Sequence, residues 1–188
     1  MDVKGMYSVL IPLIYINDRW EIIYELRAKD MKAQPGEISF PGGRLENGES
    51  FKEAAIRESV EELGIGEENI EVIGEIDFLV SYANFTIHCF VGLIMDVELK
   101  DMNLNKDEVD HIFTVPVDFF LESEPLMHEL ALVTEESDSF PYELIPKGRK
   151  YNFREGKHQV HFYQYNNYVI WGFTAKMTKQ FIEILRSL

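Results

Sequence analysis

The chain is nearly free of cysteine: Cys89 stands alone among 188 residues. A lone cysteine forms no internal disulfide and rules out cysteine-rich metal sites. Cys89 lies within the apolar run Phe85–Val97. No activating partner is evident beside it, so it reads as a small buried hydrophobe and not as a catalytic thiol. Positive charge is also scarce. Eighteen Lys and Arg face thirty-three Asp and Glu, for a formal net charge of −15. Such a field repels a nucleic-acid backbone, so nucleic acid is not an expected partner. A polyphosphate ligand would need a bound cation or a local basic patch. Long apolar runs are missing as well. The opening MDVKGMYSVLIPLIYI is short, holds Pro12 and lacks a small-residue cleavage site, so it reads as a strand and not as a leader. No stretch approaches the roughly 18 apolar residues of a membrane span. The expected compartment is the cytoplasm, with no membrane partner.

What is present suits one domain with a real core: 46% of residues are hydrophobic and 13% aromatic. Ser8–Ile16 and Trp20–Arg27 read as strands joined by an Asn17-Asp18 turn. Residues 28–48 hold four of the twelve glycines and two of the seven prolines, which predicts a shaped loop. Ser50-Phe51-Lys52-Glu53 has the form of a capping box, and Gly64 that of a helix stop. Ile70–Val80 and Phe85–Val97 read as paired strands, and Val109–Val115 as a shorter one stopped by Pro116. Residues 121–157 look irregular, and His158–Tyr168 reads as strand. A last helix begins near Thr174, with Met177, Phe181, Ile184 and Leu188 as its docking stripe. Strands, helix, strands, helix: the order implies an α+β fold, a mixed sheet sandwiched between helices.

The segment from Gly43 to Ile65 is the informative one. On a helical wheel Ile56, Val60 and Leu63 form an apolar stripe, and Glu58, Glu61 and Glu62 gather on the other side. A solvated acidic face would look the same. However, like charges at these spacings repel by about 0.2–0.5 kcal/mol per pair. Unscreened carboxylates also suit a hard, oxygen-seeking cation such as Mg²⁺. The segment resembles the Nudix signature: Gly43, Glu49, Arg57-Glu58, Glu61-Glu62, Gly64 and Ile65 stand at its spacings. Ser59 departs from it, where an aliphatic residue is usual.

The resemblance implies Mg²⁺ or Mn²⁺ held on Glu58, Glu61 and Glu62. The carbonyl of Gly43, or of its neighbour Gly42, would complete the shell. It implies that Arg57 and Glu49 brace the helix as part of the catalytic apparatus. Upstream, Arg27-Ala28 and the run Pro35–Gly43 resemble the coenzyme A diphosphatases of that superfamily. Met31–Gln34 departs from their usual Leu-x-x-His. By this likeness Arg27, Gly36, Phe40, Gly42 and Gly43 contact substrate; the glycines let backbone approach a diphosphate. Asn105–Val109 resembles the same family's N-x-x-E-V element, which makes Glu108 a distal carboxylate. Either Glu61 or Glu108 would position or deprotonate the attacking water. Ile170–Ala175 matches a further element, with Trp171 expected in the core and Thr174 as a helix cap.

The implied reaction is Mg²⁺-dependent hydrolysis of coenzyme A or an acyl-CoA to 3′,5′-ADP and the 4′-phosphopantetheine part. Two rivals stand beside it. One is a Nudix diphosphatase for ADP-ribose, NADH or dinucleoside polyphosphates. The other is a nucleotide-binding regulatory domain without turnover, whose mark would be a damaged acidic motif; here the motif is intact. Oligomeric state, a homodimer included, is left open. Lys147, Arg149, Lys150, Arg154 and Lys157 put five of the eighteen basic residues into eleven positions. They are either a solvated loop or a receiver for the 3′-phosphate end of coenzyme A.

Overall fold

The structure, a computed structural model, describes residues 5–135 and 137–188. Strands β1 (Gly5–Ile16) and β2 (Arg19–Arg27) form an antiparallel hairpin. Its turn is built on Asn17 and Asp18, with φ of 50° and 58°. Two successive left-handed residues match the twist of the flanking strands, and Asn and Asp tolerate them. Short strands β3 (Ile38–Ser39) and β4 (Gly42–Arg44) lie inside the predicted loop. They pair with β2 and β1 respectively. The loop is thus sewn onto the sheet at both ends.

Helix α1 (Phe51–Leu63) follows, with both halves of the Ser50–Glu53 capping box formed and Gly64 in the left-handed conformation. Strands β5 (Ile70–Glu75), β6 (Leu79–Val80) and β7 (Phe85–Ile94) come next, then β8 (Val109–Pro116). In the sheet β7 runs parallel to β1, while β8 pairs with β2. A short α2 (Val117–Glu122) begins directly after Pro116.

A second sheet holds β9 (Leu126–Leu132), β10 (Gly156–Tyr165) and β11 (Tyr168–Trp171). Helix α3 (Gly172–Ser187) ends the chain. One core cluster joins Ile22 and Tyr24 to Met177, Phe181 and Ile182 on the α3 side. The other joins Leu10 and Ile23 to Ala55 and Leu63 on the α1 side. The main sheet therefore lies between α1 and α3, as the α+β sandwich reading expects.

Several expectations are corrected. The supposedly irregular 121–157 holds the end of α2 and the whole of strand β9. Every residue of β9 but the last is exposed, so it shows no alternation for a sequence reading to detect. The single strand His158–Tyr168 is a hairpin that turns at Asn166, whose φ is 52°. In α3, Met177 and Phe181 are buried, but Ile184 is 41% and Leu188 97% exposed; the helix outruns the core it docks on. Trp171 is 42% exposed and stacks on Phe162. Thr174 caps nothing: its hydroxyl donates to the carbonyl of Ile38, 3.0 Å away. That bond ties α3 to the glycine loop. No helix among the described residues is long and apolar enough to cross a membrane.

Candidate active site

The site begins with the bracing of α1. The Arg57 guanidinium makes a two-pronged contact with Glu49, 3.1 Å from Nε to Oε2 and 2.9 Å from Nη2 to Oε1. Its Nη2 also donates to the carbonyl of Arg44. Glu49 in turn accepts from the backbone N–H of Glu46. These bonds hold the Glu49 carboxyl below its usual range, the hydrogen bond from Arg57 first among the causes. Arg57 Nη1 lies 3.0 Å from Glu58 Oε1 and 3.6 Å from Glu61 Oε2. One arginine thus links the loop acid to two helix acids through a planar fork that a lysine could not reproduce.

The helix is turned about its axis from the expected pose. Its buried residues are Ala54, Ala55, Ser59, Glu62 and Leu63. Ile56 and Val60 are half-buried and line an outer hollow with Glu67. Small residues explain the rotation. Ala55 and Ser59 let the helix axis come close to β1, where Ser8 Oγ donates to the Phe51 carbonyl at 2.6 Å. The Ser59 hydroxyl satisfies itself on the Ala55 carbonyl, 2.7 Å away. The departure from an aliphatic residue is therefore a packing choice.

Rotation carries Glu62 inward. Its side chain is 2% exposed, and Oε2 accepts the Gly42 N–H at 2.7 Å. Burial outweighs that bond and, with the neighbouring charges of Glu58 and Glu108, pushes the Glu62 carboxyl up to about 8. Burial also raises Glu58, against the pull of Arg57. Glu61 is the outermost of the three, with 56% of its side chain exposed.

Glycine geometry fits these acids closely. A Cβ on Gly43 would lie 2.0 Å from Glu58 Oε1, and one on Gly42 2.4 Å from the Ser8 carbonyl. Leu45 N–H donates to the Met6 carbonyl, and Leu10 N–H to that of Pro41. Alternation along this antiparallel ladder pairs Gly43 with Ser8 by backbone hydrogen bonds. The Gly42 carbonyl then stands off this ladder, on the same side as the N–H that meets Glu62, so of the two expected carbonyls that of Gly42 is the one left free by the ladder. Phe40 is corrected too. It is 2% exposed and stacks on Tyr24, ring centroids 5.0 Å apart. It anchors the loop from below and is not accessible to a substrate.

Gly36 stands at a φ of +70°, where its missing Cβ matters. Its N–H donates to the Arg27 carbonyl, while the Arg27 N–H donates to the Glu37 carbonyl. Residues 28–36 therefore close back on Arg27. Glu108 sits at the far side. Its carbonyl accepts the Ala28 N–H, and Asn105 donates both to its carboxylate and, through the backbone, to the Glu62 carbonyl. Arg27, Glu108 and the end of α1 thus meet at one place.

Residues 13–137 match the NUDIX domain family. The chain belongs to the Nudix hydrolases. It is 30% identical to Nudix hydrolase 3 of Caenorhabditis elegans, across 98% of this chain and 75% of that one. It is 27% identical to the mouse peroxisomal coenzyme A diphosphatase, across 93% of this chain and 67% of the other. Among solved structures, a MutT/nudix family protein of Enterococcus faecalis matches 97% of the chain and 62% of its own at 13% identity, with a TM-score of 0.55. An Ap4A hydrolase of C. elegans matches 63% and 84% at 16% identity, with a TM-score of 0.52. These two share the fold.

The enzyme is accordingly a hydrolase of a pyrophosphate linkage. Nudix hydrolases generally use divalent metal ions, and the donors here suit one. All are oxygens, the preference of Mg²⁺. Among the described residues, three buried polar atoms here also lack partners: Glu25 Oε1, Ser39 Oγ and Arg27 Nε. Among the described residues, no three acid or histidine side chains already stand in closed ligating geometry. Arg57 holds Glu58 and Glu61, and the Gly42 N–H holds Glu62. The expected triad is therefore a set of separately held carboxylates.

Sequence reasoning overlooked Glu25, and it named Ser39 and Asn105 only as members of longer runs, with no role of their own. Glu25 reads as an ordinary polar position in WEIIYELR; only the sheet register shows where it points.

Gly43→Ala tests the fit of the loop. The added methyl overlaps Glu58 and must displace it. Hydrolysis should fall at least about 100-fold, the usual cost of misplacing a reacting group by about 1 Å. Circular dichroism should show the fold intact. Activity within threefold of the native enzyme would show that Glu58 need not stand where it does.

Proposed function

We propose that the enzyme hydrolyses the diphosphate of coenzyme A or an acyl-CoA. The observation that carries this reading is the loop of residues 34–43. It is sewn to β1 and β2, anchored by Phe40 and closed on Arg27. It has the sequence shape of coenzyme A diphosphatases, and the mouse relative that carries that name aligns over nearly the whole chain. The open glycine backbone admits a diphosphate, and Arg27 offers it a planar pair of donors.

Glu58, Glu62 and Glu61, with the Gly42 carbonyl, would hold Mg²⁺ or Mn²⁺. When bound, the cation stabilises the charge that develops on the diphosphate. Arg57 and Glu49 keep the helix acids in register with the glycines. Glu61 or Glu108 orients the water and takes its proton. Water oxygen joins one phosphorus as that atom's bond to the bridging oxygen breaks. The products are 3′,5′-ADP and 4′-phosphopantetheine, acylated where the substrate was.

The test is a substrate panel with Mg²⁺ and with Mn²⁺, read by product masses. Coenzyme A should yield those two products and outrun ADP-ribose, NADH and dinucleoside polyphosphates. Coenzyme A left intact at high enzyme concentration would overturn the reading.

The basic cluster adds a second measurement. Arg149 lies over the Tyr142 ring at 4.7 Å, and Lys157 pairs with Glu129 at 2.7 Å. Among the described residues no such contact fixes Arg154. Arg154→Ala should raise KM for coenzyme A severalfold and leave that for 3′-dephospho-coenzyme A unchanged. Equal effects on both would remove the cluster from the site.

A further inference from the structure

Glu25 is 1% exposed, and among the described residues nothing satisfies its Oε1. Alternation along β2 places it on the face of Ile23, which packs under α1 with Ala55 and Leu63. It stands directly opposite Ser39 of β3, so the two side chains share that face. Ser39 Oγ is buried and partnerless as well, and so is Arg27 Nε, two residues along β2. Three residues past Ser39, the Gly42 N–H takes the inward carboxylate of Glu62. Glu108 closes the same corner through its backbone bond to Ala28. Glu25 thus rises from the sheet toward the place that Glu58, Glu62 and Glu108 approach from the helix and the loop.

We propose that Glu25 is a fourth carboxylate of the divalent-cation site, closing it from the sheet side either by direct ligation or through a water. This rests on the metal-dependent reading above. A buried carboxylate without a donor is among the costliest groups a fold can keep. A glutamine there would keep the shape and have no charge to bury. A cation offers what a hydrogen-bond donor would otherwise supply, and Ser39 is placed to bind a water of its shell. The consequence is a site able to hold its ion before substrate arrives.

The experiment titrates Mn²⁺ into the full-length protein without nucleotide and reads free Mn²⁺ by electron paramagnetic resonance. Glu25→Gln keeps the shape and removes the charge. Its Mn²⁺ Kd should rise about tenfold or more, the range seen when groups supporting a metal shell are removed. Metal-free melting should be no lower than that of the native chain. If Glu25→Gln does not fold, Glu25→Asp keeps the charge but shortens the reach, and the same loss is expected of it. A folded variant that binds Mn²⁺ as tightly as the native chain overturns the proposal. Native protein that binds no Mn²⁺ at all would overturn the metal reading itself, so the two failures are distinguishable.

Discussion

Glu62→Gln should lower kcat roughly a thousandfold or more, the scale on which removal of a charge from a phosphoryl-transfer site acts. It should also leave the metal-free protein at least as stable as the native chain. The opposite signs come from one observation. Glu62 is 2% exposed and holds the Gly42 N–H at 2.7 Å. Glutamine keeps the oxygen that accepts this bond, so the loop stays in place. It removes a group whose ionisation burial and the carboxylates of Glu58 and Glu108 disfavour. A residue kept only for structure would show the reverse: stability lost and activity spared. The measurements are steady-state turnover of coenzyme A, or of whichever diphosphate the panel identifies, and thermal melting in chelator. Retention of more than a tenth of native turnover would remove Glu62 from the ion's shell. Arg57→Lys makes a useful companion. It keeps a positive charge but loses the fork that spans Glu49, Glu58 and Glu61.

Much of this arrangement was legible because its signals are local. The Ser50–Glu53 box and Gly64 mark both ends of α1, and Asn17-Asp18 marks the first hairpin. The acids of the candidate site that lie on α1 share one helix, so their spacing carried the information. What failed depends on partners distant in sequence. The wheel could show which residues share a face of α1, but not which face meets the sheet. That was decided by Ala55 and Ser59 against β1, and by the Gly42 N–H. Strand β9 pairs only with β10, thirty residues on, and exposes nearly all its side chains. Glu25 is hidden for a related reason. One acid in a strand reads as solvent-facing until register sets it opposite Ser39. Phe40 misled in the other direction: its place in a run that resembles a substrate-binding loop concealed a buried ring stacked on Tyr24.

The metal-free enzyme should become less stable as pH rises from about 5 to 9, and Mg²⁺ should abolish most of that loss. The Glu62 carboxyl is pushed from its ordinary 4.5 up to about 8 in the folded protein. The folded state then binds a proton that the unfolded chain has already released. Stability from this group is complete below pH 4.5 and disappears as pH climbs through 8. Each pH unit of that window is worth at most about 1.4 kcal/mol per proton, so the loss is on the order of a few kcal/mol. Glu25 lies in the same corner and is raised in the same direction, chiefly by burial and then by Glu62. The Arg27 charge pulls both down without prevailing. Glu49, Glu53 and Asp110 are shifted the other way, so their contribution is lost only below the ordinary carboxylate range. His161, lowered by burial, opposes the loss only through the range in which a free histidine titrates, so the metal-free optimum lies on the acid side of neutral. A divalent cation binds the ionised carboxylates and reverses the preference, which makes its stabilisation grow with pH. Chemical denaturation at pH 5, 7 and 9, with chelator and with Mg²⁺, reads both halves. Metal-free stability that is flat or rising over this range would mean that Glu62 is not held protonated by its surroundings. The same slope in Glu62→Gln as in the native chain would assign the effect to another group.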